Sequence, residues 1–395
     1  MSVTRTLGRF GAALAAVSAA VSVVAGCSDL PARKVDSAPP LLQKPSISIS
    51  PDNGGPIAPR QPIVVKADRG TLAAVAVTAE SGKSIAGALS PDQATWTSTE
   101  PLAYGAGYQV SADAISLTAG RVRRTAQVNT VTPRTQTFAE LVPGPDAADS
   151  YGVGTVIGVR FDENITDRAA ATRALEVVSN PPQPGAWYWM DDRTARYRPE
   201  RFWQPGTTVT VHANVYGVHL GDGVYGQEDR AATYRIHDAW IAKADGGSHQ
   251  MQIFRNGQLV STMPISLGSP SNPTHLGTHV VSSKSQSTLM DSCTFGLCPP
   301  NPGAYKQTVY LTVRISDDGE YTHSAPWSVG QQGSTNVSHG CVNLSPANAQ
   351  WMLDTFGVGD VIEVVNSGGT PLPVWDTYGG WMVPWAEWVK GGPTT

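Results

Sequence analysis

Short apolar runs recur along the first half of the chain, separated by glycine and proline turns, and they constrain the fold more than any other feature. Between residues 46 and 132 they include residues 63–65 (Ile-Val-Val), 72–77 and 108–112 (Tyr-Gln-Val-Ser-Ala). Short alternating runs of this kind predict β-strands, and many short strands joined by frequent turns favour a β-sandwich. We therefore predict a sandwich domain over residues 46–132.

A second copy of this pattern follows at residues 133–237. Residues 107–114 (Gly-Tyr-Gln-Val-Ser-Ala-Asp-Ala) align with residues 206–213 (Gly-Thr-Thr-Val-Thr-Val-His-Ala), and a proline-led aromatic loop precedes the glycine in both copies. Self-similarity at the spacing of one domain indicates a tandem pair. Some aromatic residues of the second copy could stack on a glycan, but alternation along strands favours a place in the core. They are Trp187, Tyr188, Trp189, Phe202 and Trp203.

Residues 238–367 predict a separate, mostly β domain with one short helix. One hairpin spans residues 250–263 and turns at an Asn-Gly pair, and a second spans residues 308–323. The second hairpin places His323 at the end of a strand, where a rigid backbone would hold its side chain. Ser345, followed by a proline, is typical of a helix start.

Residues 368–395 form a tryptophan-rich tail. Trp381, Trp385 and Trp388 have helix-like spacing, although a proline at position 384 argues against one continuous helix. The tryptophans offer an apolar face that could either pack or stack on substrate. We predict that the tail packs back onto another domain.

The first 26 residues predict export. Arg5 and Arg9 give a basic start, and residues 14–24 form an apolar run too short to span a bilayer comfortably. The run ends in Val-Ala-Gly-Cys, which resembles a lipobox and implies lipid attachment to Cys27 after cleavage. An ordinary cleavable signal with an incidental cysteine is the alternative.

Residues 27–45 contain several prolines among polar residues and predict a linker. We therefore expect an exported membrane lipoprotein that faces the cell wall, held through the lipid on Cys27. The net charge of −4 gives no reason to expect a nucleic-acid partner.

The cysteine count singles out one thiol. The chain has four cysteines, of which Cys27 is assigned to lipidation, while Cys293 and Cys298 are near neighbours that either form a disulfide or stay reduced. Cys341 is then left over, and in an exported protein such a cysteine is an intermolecular bridge, a reactive thiol or a buried structural residue.

The sequence around Cys341 favours a reactive thiol. Residues 338–343 read Ser-His-Gly-Cys-Val-Asn, and His323 lies upstream. A cysteine attacks as a thiolate, and a nearby imidazole can take its proton to form a thiolate–imidazolium pair. Gly340 lets a substrate approach the backbone closely, and backbone N–H groups of the turn could then face a developing oxyanion.

These motifs resemble the L,D-transpeptidase (YkuD-type) catalytic domain. The similar blocks are residues 263–268, 273–278, 323–327, 338–343 and 345–349, in that order. The whole layout resembles family members with two immunoglobulin-like domains before the catalytic one. The resemblance implies a mainly β fold: two tandem immunoglobulin-like β-sandwich domains followed by a β-rich YkuD-type catalytic domain with a short helix.

The resemblance also implies roles for particular residues. Cys341 would be the nucleophile and His323 the base, oriented by a backbone carbonyl or by Ser324. His339 is the competing candidate for the base and otherwise shapes the oxyanion site through its backbone. Asn343 would hold the loop or polarise the site.

A lid over residues 290–305 would cover the donor pocket. The residues implied to contact substrate are Met290, Phe295, Tyr305, Trp327 and Ser338. Phe295 stands where many family members have tyrosine, and a disulfide between Cys293 and Cys298 would stiffen the lid. His275 and His279 lie near the implied cleft, and we expect them to be surface residues without a catalytic role.

The implied reaction is a two-step acyl transfer in peptidoglycan that needs no metal or organic cofactor. A tetrapeptide donor stem loses its terminal D-alanine to Cys341, and the diaminopimelate amine of an acceptor stem resolves the thioester. Carbapenem β-lactams should acylate the same thiol. The alternatives are an L,D-carboxypeptidase, a transferase that links a lipoprotein lysine to peptidoglycan, and a non-catalytic wall-binding protein.

Overall fold

The computed structural model describes residues 44–393, apart from residues 53, 118, 297, 302–303 and 377–378. The predicted export signal, Cys27 and nearly all of the predicted linker lie outside the described residues. Within the described range, no helix is both long and apolar enough to cross a membrane.

Strands of two sheets form the first sandwich. They are β1 (Ser46–Ser50), β2 (Val64–Asp68), β3 (Thr71–Ala79), β4 (Gly87–Leu89), β5 (Thr95–Ser98), β6 (Gly107–Ser116) and β7 (Gly120–Asn129). The sheets have the orders β1-β2-β5-β4 and β3-β6-β7. Side chains from both sheets share one apolar core, in which Val65 and Val110 are fully buried. Period-two alternation along β1, β2 and β5 supplies part of this core.

The second sandwich has a similar arrangement. Its elements are β8 (Thr135–Thr137), β9 (Ala139–Val142), β10 (Ile157–Phe161), α1 (Arg168–Ala174), β11 (Leu175–Asn180), β12 (Gly185–Trp189), β13 (Thr194–Pro199), β14 (Thr208–Ala213), β15 (Val224–Gly226) and β16 (Arg230–Arg235). Its larger sheets are ordered β12-β13-β10-β9 and β11-β14-β16. The two segments aligned by sequence fall on β6 and β14, and each forms the centre of a three-stranded sheet. Trp189 and Trp203 are buried in the core, as their alternation predicts.

The third domain contains two mostly antiparallel sheets and a short helix. Its elements are β17 (Trp240–Asp245), β18 (Gln250–Arg255), β19 (Gln258–Pro264), β20 (Gly277–Val280), β21 (Ser283–Asp291), β22 (Lys306–Arg314), β23 (Tyr321–Ser324), β24 (Val342–Leu344), α2 (Pro346–Thr355) and β25 (Val361–Val365). The sheets have the orders β19-β18-β17-β25-β20 and β21-β22-β23-β24. The mainly β architecture with two sandwiches and a β-rich third domain confirms the predicted fold class.

Local sequence signals position these elements. Asn256 and Gly257 both adopt left-handed backbone conformations in the β18–β19 turn, which an Asn-Gly pair tolerates. The Ser345 hydroxyl accepts a hydrogen bond from the Asn348 backbone N–H and caps α2. The predicted hairpins and helix start are therefore confirmed.

The tail packs across the second and third domains around a buried arginine. A 3-10 turn (Gly379–Met382) and α3 (Trp385–Trp388) follow one another, and the proline between them lies just before α3. The Arg198 guanidinium lies 4.4 to 5.4 Å from the ring centroids of three tryptophans of the tail. It also donates hydrogen bonds to the carbonyl oxygens of Gly380 and Val383.

Replacing Arg198 with alanine should destabilise the protein. The change leaves the carbonyl oxygens without their donor and opens a cavity beneath the tryptophans, which we expect to cost about 2–4 kcal/mol. Urea denaturation measures this loss, with Arg201→Ala as a control because Arg201 is exposed on the same domain. Equal stability of the two variants would contradict the role of Arg198.

Candidate active site

The parallel pairing of β23 with β24 brings His323 and Cys341 onto neighbouring strands. In the register of this pair His323 lies opposite Asn343, and Thr322 lies opposite Val342. Cys341 immediately precedes β24, and extending the register by one residue places it beside Tyr321. Side chains alternate between the two faces of a sheet, so His323 and Cys341 project from the same face.

The Cys341 side chain is buried beneath the lid. The residue is 8% exposed and packs with Met290 and Val309. Its Sγ atom lies 3.7 Å from the carbonyl oxygen of Gly319. Burial, with a smaller contribution from nearby carboxylates, raises the pKa of Cys341 to about 12. The resting thiol is therefore protonated at neutral pH.

His323 is also buried and neutral. It is 4% exposed, and burial lowers its pKa. The Nδ1 atom lies 3.0 Å from the carbonyl oxygen of Ser324. A carbonyl only accepts, so Nδ1 carries the hydrogen and Nε2 keeps its lone pair in the neutral ring. Ser324 thus orients the ring through its backbone carbonyl.

These protonation states correct one expectation. The sequence predicted a thiolate–imidazolium pair, but burial disfavours the charged form of both Cys341 and His323. Burial therefore favours a neutral thiol and a neutral imidazole in the resting site.

The turn that carries Cys341 is held by hydrogen bonds. Gly340 has a φ of 117°, a left-handed conformation that favours glycine. The Ser338 hydroxyl donates to the carbonyl oxygen of Cys341 at 2.6 Å and accepts from the Gly340 N–H at 3.2 Å. Thr274 donates to the carbonyl oxygen of Gly340 at 2.7 Å.

Two expectations change as a result. Ser338, predicted to contact substrate, is buried and uses its hydroxyl inside the turn. Backbone N–H groups of the turn were predicted to face an oxyanion, and one of them, the Gly340 N–H, is engaged by that hydroxyl in this conformation. Both groups therefore shape the turn.

Asn343 and His339 differ in their exposure to solvent. Asn343 is buried and donates from Nδ2 to the Ser328 hydroxyl at 3.1 Å, which corresponds to the loop-holding role among the two predicted for it. His339 is exposed, and its ring centroid lies 5.3 Å from that of Tyr305. His339 therefore belongs to the rim of the site.

The residues predicted to line the donor pocket differ in how deeply they are buried near the thiol. Met290 is buried against Cys341 and Tyr305 is half-buried there, whereas Trp327 is 56% exposed and lies beside the His323 ring. A disulfide joins Cys293 and Cys298. The Phe295 side chain lies outside the described part of the structure.

Sequence reasoning missed a carboxylate behind Cys341. Glu320 is 6% exposed; its Oε1 atom lies 3.1 Å from His275 Nδ1, and its Oε2 atom lies 3.1 Å from His279 Nε2. His279 is completely buried, so the expectation that both histidines are surface residues is wrong. Two histidines four residues apart and an acidic turn before His323 were the available signals.

His275, Asp318 and Glu320 are the described residues whose grouping could hold a metal ion, since their ligand atoms lie within 4.8 Å of one another. His275 Nδ1 is hydrogen-bonded to Glu320 Oε1 at 3.1 Å and lies 3.5 Å from Asp318 Oδ2.

Two family models match the chain. The model for the bacterial Ig domain matches residues 55–219, and the model for the L,D-transpeptidase catalytic domain matches residues 239–364. The second match contains His323, Cys341 and the cluster around Glu320.

Relatives match over most of the chain. It is 43% identical over 330 residues to L,D-transpeptidase 2 of Mycobacterium tuberculosis, an alignment that covers 84% of this chain and 80% of the relative. It is 33% identical over 387 residues to L,D-transpeptidase 5 of the same species, covering 94% of this chain and 82% of the relative. A structure of the LD transpeptidase LdtMt1 in complex with imipenem is 38% identical, covers 57% of this chain and 97% of that chain, and has a TM-score of 0.50.

The Ig-like sandwiches and the β-rich domain behind them define an enzyme of the YkuD class. The chain belongs to the L,D-transpeptidase family, and its activity is that of a transpeptidase.

The lowered pKa of His323 predicts an acid-tolerant site. A lowered pKa means that less than half of the imidazole is protonated at about pH 6.5, where an ordinary histidine is half protonated. We expect the rate of Cys341 acylation by imipenem to keep more than half of its value at about pH 8 when the pH is lowered to about 6.5, and to be halved only at lower pH. Intact-protein mass spectrometry measures this rate, with Cys341→Ala as the baseline. A rate already halved above pH 6.5 would contradict a buried neutral base.

Proposed function

We propose that this transpeptidase cross-links peptidoglycan stem peptides, with Cys341 as the nucleophile. The observation that supports it most is the position of Cys341 immediately before β24, which pairs with the strand that carries His323. The Cys341 sulfur attacks the diaminopimelate carbonyl of a tetrapeptide donor, and terminal D-alanine leaves. The amine of a second diaminopimelate then attacks the thioester and forms the cross-link.

Proton transfer accompanies each bond change in this proposal. Because the resting pair is neutral, His323 Nε2 accepts the thiol proton as the sulfur–carbon bond forms. That proton passes to the amine of the departing D-alanine. In the second step Nε2 accepts a proton from the attacking amine and returns it to the sulfur as the thioester breaks. The scheme uses no metal or organic cofactor.

Carbapenems are proposed to acylate the same sulfur. The imipenem complex of LdtMt1 supports this proposal, since the aligned chain is 38% identical. Imipenem would enter the pocket beneath the lid, where Met290 and Tyr305 contact Cys341.

The proposed reaction is tested by incubating the enzyme with disaccharide-tetrapeptide, with and without an acceptor protein that carries lysines. We expect a cross-linked dimer that is one D-alanine lighter than two donors, and no product with Cys341→Ala. Mass spectrometry reads the outcome. A tripeptide alone would indicate a carboxypeptidase, a protein adduct would indicate a protein-linking transferase, and an unchanged donor would favour a wall-binding protein.

The same assay separates the two candidate bases. His323→Ala should lower the rate by about 10²–10⁴-fold, the range for loss of a general base. His339→Ala should lower it by less than about tenfold, because His339 lies exposed at the rim. A larger loss for His339→Ala would reassign the base.

We further propose export and a lipid anchor on Cys27 that faces the enzyme toward the cell wall. The basic start, the apolar run and the Val-Ala-Gly-Cys sequence support this placement. An inhibitor of lipoprotein signal peptidase should make the unprocessed precursor accumulate in living cells, as read by its mass on an immunoblot. Unchanged processing would indicate an ordinary signal and no lipid at Cys27.

A further inference from the structure

A chain of three buried or half-buried side chains lies behind the nucleophile. Glu320, immediately before β23, accepts hydrogen bonds from His275, which precedes β20, and from His279, which lies within β20. The backbone N–H of His275 also donates to Glu320 Oε1 at 2.8 Å. One carboxylate therefore ties the β22–β23 hairpin to the segment that leads into β20. The mechanism proposed above uses none of these three residues.

The same carboxylate reaches the turn that carries Cys341. A Cβ atom placed on Gly340 would lie 3.5 Å from Glu320 Oε1. The neighbour of His275 in sequence, Thr274, donates to the Gly340 carbonyl oxygen. The carbonyl oxygen of Gly319 also accepts a hydrogen bond from the Cys341 thiol. The residue before Glu320 and the residue before His275 thus both contact the Cys341 turn.

We propose that Glu320 is a positioning residue that fixes the Cys341 turn and, through its negative charge, adds to the effect of burial in disfavouring the Cys341 thiolate. The positive charge of His275 partly offsets the negative charge of the carboxylates that face the thiol. The proposal rests on the role of Cys341 as nucleophile.

Charges around the cluster support this arrangement. Burial works to raise the pKa of Glu320, but hydrogen bonds from His275 and His279 outweigh it, so the pKa is lowered and the carboxyl is ionised. The hydrogen bond to Glu320 raises the pKa of His275, which favours its charged form. A carboxylate near a thiol disfavours the thiolate, and a cation near that carboxylate weakens the effect.

Several groups face the thiol from the elements packed against it. The hairpin turn contributes Asp318 and Glu320, β23 contributes Tyr321 and His323, and the segment before β22 contributes Tyr305. Near neutral pH both tyrosines stay protonated, because burial raises the pKa of each phenol. Burial lowers the pKa of His323, so its ring is neutral. Asp318 and Glu320 are then the carboxylates whose charge the thiol experiences.

The pH dependence of thiol alkylation tests the proposal because two substitutions should shift it in opposite directions. Glu320→Gln removes a negative charge and keeps the shape, so the half-maximal pH for alkylation of Cys341 should fall by about one unit. His275→Gln removes the balancing cation, so the half-maximal pH should rise by about half a unit. Asp317→Asn is the matched control, a carboxylate on the same turn whose partner is Arg314, and it should leave the profile in place.

The rate of alkylation by iodoacetamide is measured on the folded full-length chain between about pH 7 and 11. This range lies below the thiol pKa of about 12, so a shift in the half-maximal pH is read as a displacement of the rising part of the profile. The peptide that contains Cys341 is quantified by mass spectrometry, which separates it from Cys27. Alkylation does not require turnover, so it remains informative even if the cross-linking assay fails. The pH profile of cross-linking is recorded in parallel and should move in the same directions.

Three results would overturn the proposal. An unshifted profile for Glu320→Gln would remove the electrostatic role, and shifts in the same direction for both variants would indicate only a disturbed turn. A wild-type profile that moves on treatment with EDTA would indicate a bound metal ion at His275, Asp318 and Glu320. If Glu320→Gln does not fold, His275→Gln carries the test alone, since His275 is only partly buried, and an unchanged or lowered half-maximal pH then counts against the proposal.

Discussion

The short parallel ladder between β23 and β24 is the contact on which the active site depends. The two strands are joined through a loop of 17 intervening residues, from Ala325 to Cys341, so their pairing is not a local event. It fixes which side chains share a face and how far apart they lie along it. This register sets the positions of His323 and Cys341 relative to each other.

Burial then determines the chemistry available at rest. The lid and the hairpin turn exclude water from Cys341, and this desolvation disfavours the thiolate. The same effect keeps His323 neutral and basic. A neutral pair is less reactive toward adventitious electrophiles than a stored thiolate would be, because the thiolate is the nucleophilic form. In the proposed mechanism the thiol is therefore activated only as it attacks the substrate, because attack and proton transfer to His323 occur together.

Support for the site also comes from outside the catalytic domain. Backbone N–H groups of Gly152 and Gly154 in the second sandwich donate to carbonyl oxygens just before β25. A Cβ atom on Gly152 would lie 2.2 Å from the Asp360 backbone nitrogen, so only glycine permits this approach. The contacts between Arg198 and the tail also stabilise this junction between the second sandwich and the third domain. The second sandwich is thereby joined to the sheet that includes β20, which follows His275.

The sequence by itself determined the strands, the Asn-Gly hairpin, the helix start at Ser345 and the motif around Cys341, because each depends on residues that are close in the chain. It also indicated the tandem sandwiches, since 107–114 and 206–213 repeat one pattern. Only the tertiary structure decided the neutral state of Cys341 and His323, the use of the Ser338 hydroxyl inside the turn, and the partnership of Glu320 with His275 and His279. Desolvation and hydrogen bonding between residues about 40 positions apart arise only when distant segments pack together, and local sequence patterns carry no record of that packing.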